Sequence, residues 1–245
     1  MTRGRRCAMR FVVEMLALTT WLGAPAAHAQ ARPTATTRTA DTTAAGRARQ
    51  ALRELERVET GLAARGDTTD VGRRSEQQRR LVATRLALDT AILVMPDGRR
   101  TLGTLQREYP GAAILREYEA WRLLADQDPG EALVRFDGLL RASRRNVALL
   151  RGRALSLEAL HREPDATDAW ERLMDAQPSS SEAFDALWRR HQVTGSLATL
   201  HRTIARLRLL HPADTVLLGR EVRVLQALEL PDSAAAVVRR FTGGA

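Results

Sequence analysis

Histidine and acidic side chains carry most of the reactive chemistry in this sequence, because lysine is absent and the one cysteine is Cys7. Beyond residue 30 the histidines are His161, His191, His201 and His211. No two of them have the i, i+3 or i, i+4 spacing that would place two imidazoles on one helix face around a metal ion. Acidic pairs such as Asp165 and Asp168 fall near predicted helix starts, where they stabilise the helix dipole. We therefore predict no metal site, no cofactor and no catalytic residue.

The common catalytic signatures are also missing from the sequence. It has no nucleophile elbow, no glycine-rich phosphate loop and no His-Glu-x-x-His helix. Without lysine there is no residue for a Schiff base and no phosphate-binding lysine. These observations favour a protein that binds a partner over an enzyme.

All of the basic residues in this sequence are arginines. The chain carries 38 basic and 29 acidic residues, a net charge of +9. No stripe of basic and aromatic residues accompanies this charge, so we do not expect nucleic acid as the partner. A mild positive charge favours acidic partners or anionic surfaces.

The first 29 residues have the three parts of a secretory signal. A basic start is followed by an apolar stretch from Phe11 to about Pro25, and cleavage is predicted after Ala29. We therefore expect an exported protein, either periplasmic or secreted. Glu14 interrupts the apolar stretch, so an uncleaved anchor remains the alternative and is the only membrane attachment we expect.

The rest of the chain is predicted to be all-α, because leucine, alanine and arginine dominate it and all three favour helices. Residues 30–45 have no apolar periodicity and are interpreted as a disordered linker. Residues 46–110 are predicted to form an N-terminal helical hairpin that caps a repeat array, or alternatively a small coiled-coil oligomerisation element. Residues 111–245 are predicted to form the helical repeats themselves.

A period of 34 residues runs through the C-terminal half. The predicted units are 113–146, 147–180, 181–214 and a shortened 215–245. The second helix of each unit carries an apolar stripe, whose first two positions are Ala132/Phe136, Ala166/Trp170, Leu200/Ile204 and Ala234/Val238. This spacing buries one face of each second helix.

Turn and capping residues keep the same period. Pro178 and Pro212 end the second helices of two successive units. We predict capping boxes at Ser179 with Glu182 and at Asp128 with Glu131, each marking a helix start. Gly195 lies in a predicted turn within the third unit, where a left-handed residue is often required.

These features together resemble the tetratricopeptide repeat family over roughly residues 113–245: the period, the small-then-large pairs of the second helices, and the prolines that end units. The resemblance implies an α-solenoid of helical hairpins, with a concave groove lined by the first helices. Carried onto this sequence, the groove positions are Tyr118, Trp121, Arg151, Leu155, Arg189, Arg220 and Arg223. Among them Trp121, Leu155, Arg189 and Arg223 occupy one equivalent position in successive units.

Arginines from successive units would offer planar donors suited to carboxylates. We therefore expect the groove to take an extended or helical peptide with acidic groups, including a C-terminal carboxylate. The alternative is that these arginines are ordinary solvated side chains in an arginine-rich protein. The function expected is an exported interaction or scaffolding module of the cell envelope. The other functions considered are a non-catalytic accessory subunit of an envelope enzyme complex and a nucleic-acid-binding helical repeat.

Overall fold

A computed structural model describes residues 43–63 and 71–243 of the chain. Within these ranges every regular element is a helix. The helices are α1 Ala44–Ala63, α2 Val71–Asp89, α3 Gly98–Glu108, α4 Ala113–Ala125, α5 Pro129–Ala142, α6 Val147–Ala159, α7 Glu163–Ala176, α8 Ser181–Val193, α9 Leu197–Leu210, α10 Thr215–Ala227 and α11 Pro231–Gly243. The predicted all-α class is confirmed. The predicted signal and nearly all of the predicted linker lie outside the described residues.

The described residues group into two compact units, and the boundary falls between Asp126 and Gln127. The first unit contains α1 to α4 and the second contains α5 to α11. Among the described helices, none is long and apolar enough to cross a membrane.

The core of the first unit forms where α1 packs against α2 and α3. Its fully buried side chains include Leu52, Leu55, Leu88, Ile92 and Leu105. These apolar residues recur at helical spacing in the sequence, and a helix buries the residues that recur on one of its faces.

The end of α2 widens into a π-helical turn over Thr90–Val94. Arg122 on α4 donates hydrogen bonds to the carbonyls of Ile92 and Leu93 in this turn, at 3.3 and 3.4 Å. Gly98, the first residue of α3, lies so close to the turn that a Cβ would stand 2.0 Å from the carbonyl oxygen of Ile92. Arg122 also pairs with Asp126 at 2.8 Å, so one side chain ties α2 to the end of α4.

The helices from α4 onward repeat the 34-residue period in their bounds. First helices begin at Ala113, Val147, Ser181 and Thr215, and second helices begin at Pro129, Glu163, Leu197 and Pro231. In the second unit each helix packs on the next one in sequence, as expected of stacked hairpins. The predicted arrangement of an α-solenoid, in which neighbouring hairpins bury each other's faces, agrees with this packing.

The turn inside each hairpin is left-handed at the same repeat position. The residues with positive φ are Gln127 at 67°, His161 at 55°, Gly195 at 65° and Glu229 at 58°. At His161, Gly195 and Glu229, the residue that follows donates its N–H to a carbonyl in the final turn of the preceding helix. One example is the bond from Arg162 N to Leu157 O, at 3.0 Å. This bond pattern closes a helix end and needs one left-handed residue. Glycine was predicted to serve this role at one turn, and ordinary residues fill the others.

Capping residues also follow the repeat. Asp128 accepts a hydrogen bond from the N–H of Glu131, as predicted. The prediction that Ser179 caps α8 is wrong, because Ser180 is the cap and its Oγ accepts from the N–H of Ala183 at 3.2 Å. The equivalent cap residues of α6 and α10 are Asn146 and Asp214, one period before and after Ser180.

The predicted apolar stripe of the second helices forms the core of the second unit. Phe136, Trp170 and Ile204 are almost completely buried. The stripe is less covered in α11, where Val238 is 39 % exposed. The second helices therefore pack as predicted except in the last one.

Candidate interaction surface

The first helices of the second unit, α6, α8 and α10, carry the arginines predicted to line a groove. Arg151 lies on α6, Arg189 on α8, and both Arg220 and Arg223 on α10. The structure separates these four side chains into two that are engaged inside the protein and two that stay exposed.

Arg151 is engaged by an acid of the next hairpin. Its guanidinium makes a two-pronged ion pair with Glu182 on α8, and one of the two hydrogen bonds is 3.0 Å long. Leu155, one turn further along α6, is partly buried against the core of the second unit. Arg151 thus links two successive first helices and has little donor capacity left for a ligand.

Arg220 is buried and acts as a structural tie. It donates hydrogen bonds to the carbonyls of Pro178 and Ser179 in the turn before α8, the second of them at 3.0 Å. Its guanidinium also lies over the ring of Phe184, 5.0 Å from the centroid. Burial lowers the pKa of Arg220, while Asp185 and Asp214 act in the opposite direction. The structure therefore places this predicted groove residue in the interior.

Arg223 is exposed, and its guanidinium lies over two aromatic rings. Its guanidinium is 4.5 Å from the centroid of the Trp188 ring and 5.6 Å from that of Phe184. The two aromatic residues are themselves buried and contact each other on α8, with ring centroids 5.8 Å apart. A cation held over an aromatic face is attracted by the ring quadrupole. This attraction restricts the position of the Arg223 guanidinium.

Arg189 lies next to Trp188 in the chain and is exposed. Its hydrogen bond runs from Nε to the carbonyl of Asp185 in its own helix, at 3.2 Å. Arg189 and Arg223 are one period apart, as predicted. Arg223 lies over Trp188, which is the residue that precedes Arg189 in the chain.

The two remaining predicted groove residues belong to the first unit. The Tyr118 hydroxyl is buried and donates to Asp89 Oδ1 at 2.7 Å. Burial raises the pKa of this tyrosine far above its ordinary value, and the charge of Asp89 adds to the effect. Trp121 is half-buried on the same helix. Tyr118 is thus occupied inside the first unit.

The histidines do not come together. His191 is buried, with Nδ1 2.7 Å from Ser196 Oγ and with Nε2 lacking a hydrogen-bond partner. His201 lies 3.5 Å from Glu221, which also pairs with Arg208 at 2.7 Å. No group of metal-ligating side chains is found in the described part of the chain.

Sequence reasoning missed the aromatic platform formed by Phe184 and Trp188. Their i, i+4 spacing was visible, but aromatic residues at helical spacing usually belong to a core. The signal that could have found the platform is the pair Arg220 and Arg223, which have the matching i, i+3 spacing on the next first helix.

No family model matches the sequence, and no curated protein matches it.

Proposed function

We propose that this protein is an exported, non-catalytic interaction module of the tetratricopeptide-like kind, which binds a protein or peptide partner through its first helices. The observation that carries the proposal is the pair Arg189 and Arg223, exposed at equivalent positions of successive hairpins in the second unit. Repeated helical hairpins present side chains at regular intervals along one surface, which suits an extended or helical ligand. The module would hold its partner without turnover.

The chemistry of the described residues supports binding over catalysis. Several of the acids and histidines take part in ion pairs between neighbouring helices, such as Glu221 with Arg208 and His201. Such groups hold the hairpins together, whereas the exposed arginines contribute little to packing. Groups left exposed on a rigid scaffold are the ones a partner can use.

The test is quantitative co-purification with the full chain as bait. Three forms are compared: wild type, the charge reversal Arg189→Glu/Arg223→Glu, and a control reversal Arg172→Glu/Arg239→Glu. The control residues are exposed on the second helices α7 and α11. All forms are first checked for folding by circular dichroism. We expect a partner that saturates wild type and control but is lost from the first-helix variant.

The absence of any saturable partner from all three forms would overturn the proposal. Equal recovery of the partner with all three forms would show that the partner does not bind through these first-helix arginines. Export is tested separately, by the mass of the protein recovered from the cell envelope. A chain that begins at Gln30 supports cleavage after Ala29, whereas a full-length chain that stays with membranes supports an uncleaved anchor.

A further inference from the structure

The aromatic platform on α8 indicates what chemistry the surface recognises. This inference rests on the proposed function and narrows it to one ligand class. Phe184 and Trp188 carry two guanidiniums from α10, those of Arg220 and Arg223. These two arginines use their hydrogen-bond donors differently, and this difference defines the proposed site.

Arg220 donates hydrogen bonds within the protein, to the carbonyls of Pro178 and Ser179. Arg223 makes no hydrogen bond or ion pair with the described residues, although its guanidinium is held at 4.5 Å over Trp188. Because Arg223 is also exposed, its guanidinium N–H groups remain available to a ligand.

Orientation matters because an exposed arginine normally loses rotamer freedom when it binds. Each long side chain that becomes immobilised costs binding free energy. The contact with Trp188 already restricts Arg223 in the unbound protein. Arg189 is exposed at the equivalent position one repeat earlier, and its Nε is bonded to its own helix. A ligand that spans the two first helices would therefore meet two guanidiniums, of which one is already held over an aromatic ring.

The charges around these two arginines favour one kind of anionic ligand over another. The second unit has 17 arginines against 15 acidic residues, and Asp185 is exposed one turn before Arg189. Binding of a nucleic acid needs many cations along a path, so this near balance disfavours a polyanion. Local planar donors within a nearly neutral surface instead suit separate carboxylates, which pair with guanidinium in a bidentate manner.

We propose that Arg223, held over Trp188, and Arg189, at the equivalent position one repeat earlier, form a recognition site for acidic side chains in a peptide segment of the partner. The bond donors are the guanidinium N–H groups, and the acceptors are aspartate or glutamate carboxylates. Phe184 and Trp188 act as positioning residues, because they orient Arg223.

The experiment measures binding of labelled peptides to the full chain by fluorescence anisotropy. The main probe is a short peptide of alternating glutamate and alanine, blocked at both ends. A glutamine-for-glutamate peptide is the neutral control, and the same neutral peptide with a free C-terminus tests a terminal carboxylate. A short DNA duplex tests nucleic acid. We expect the blocked glutamate peptide to bind more tightly than the other probes.

Variants then assign the binding to the two arginines. Arg189→Gln/Arg223→Gln should raise the Kd for the glutamate peptide by about tenfold or more, because charge-assisted hydrogen bonds are lost. Arg172→Gln/Arg239→Gln makes the same charge change elsewhere and should leave the Kd within about twofold, allowing for general electrostatics. Arg223→Lys keeps the charge but loses the planar fork, so we expect a Kd between those of wild type and the double variant.

Several results would overturn the acidic-segment site. They are no measurable binding of the glutamate peptide, equal binding of the glutamine peptide, tighter binding of the free-terminus peptide or the DNA, and equal weakening by both double variants. These failures differ from a failure of the proposed function. Wild type and Arg189→Glu/Arg223→Glu could instead recover the same natural partner equally. The protein would then still be an interaction module, but it would not use these arginines for recognition.

Discussion

Gly152 on α6 lies directly against the ring of Phe136 on α5. A Cβ built at Gly152 would stand 2.2 Å from the Cζ atom of that ring. Phe136 is fully buried, and its ring provides the three atoms nearest to the added methyl. The contact brings the two helices close together, and the missing side chain of Gly152 makes room for the aromatic ring. This glycine is required for packing, not for its backbone freedom.

Gly152→Ala is expected to destabilise the second unit. The added methyl overpacks a filled core, which typically costs about 1–3 kcal/mol. Alanine recovers up to about 1 kcal/mol through its better helix propensity. With the full recovery subtracted, we expect a net loss of about 0–2 kcal/mol in the free energy of unfolding, measured by urea denaturation.

The matched control is Gly138→Ala on α5, where no atom lies within 4 Å of the new Cβ. This change should stabilise the protein by about 0.5–1 kcal/mol, since only the helix propensity acts there. The Phe136→Leu background should reduce the cost of Gly152→Ala. An equal effect of the two glycine changes would contradict the packing argument.

The periodicity of the sequence was sufficient to place the helices of the repeat. Each second helix has its apolar stripe where the 34-residue spacing puts it, because burial of one helix face depends mostly on local pattern. The cap of α8 was predicted one residue early, at Ser179 instead of Ser180. Both are serines with an acid nearby, so the local pattern does not separate them.

The roles of the arginines could not be predicted in the same way. Arg220 and Arg223 are three residues apart on one helix and look alike in sequence. Arg220 is buried because the turn carbonyls of Pro178 and Ser179 happen to face it from about one repeat earlier in the chain. Long-range contacts of this kind depend on how two hairpins stack, which the spacing within one helix does not determine.

His191 is expected to make stability depend on pH. Burial lowers the pKa of His191, and the charge of Arg190 lowers it further. The unfolded chain therefore binds the proton more tightly than the folded chain does. As the pH falls below the ordinary histidine value of 6.5, unfolding takes up a proton and the free energy of unfolding decreases. The decrease ends at the lower pKa of the folded state.

His191→Leu tests this pH dependence, because leucine is the residue at the equivalent positions 157 and 225. Urea denaturation is compared between about pH 7.5 and 5.5. The variant should lose less stability over this range than wild type. His211→Gln changes an exposed histidine and should keep the wild-type slope. Parallel curves for wild type and His191→Leu would show that another group carries the effect.

Glu221 and Arg208 are expected to be energetically coupled. Glu221 is buried on α10 and its Oε2 is 2.7 Å from Arg208 on α9. Glu221→Leu should cost about 1–3 kcal/mol, because the guanidinium of Arg208 would lose its acceptor in a largely buried place. The double variant Arg208→Met/Glu221→Leu should recover part of this loss, as seen when both partners of a buried pair become apolar. A double-mutant cycle from urea denaturation gives the coupling, and strictly additive effects would contradict it.

The same substitution should destabilise the protein more at Arg220 than at Arg223. Arg220→Met keeps much of the apolar stem but removes the donors to the carbonyls of Pro178 and Ser179. Those carbonyls would lose their charged partner, so we expect the free energy of unfolding to fall by about 1–3 kcal/mol. Arg223→Met removes an exposed guanidinium with no hydrogen bond to the described residues, and should cost at most about 1 kcal/mol through the lost stack on Trp188.

The binding measurements should show the reverse order when both variants are folded. Arg223→Met should weaken binding of the glutamate peptide, because it removes donors that face solvent. Arg220→Met should weaken binding only as far as it disturbs the rings of Phe184 and Trp188, since its own donors face inward. Equal stability losses for the two variants, or weaker binding from Arg220→Met than from Arg223→Met, would contradict the division into one structural and one ligand-facing arginine. The pair therefore tests, within a single helix, whether exposed donors and buried donors on the same aromatic platform have different roles.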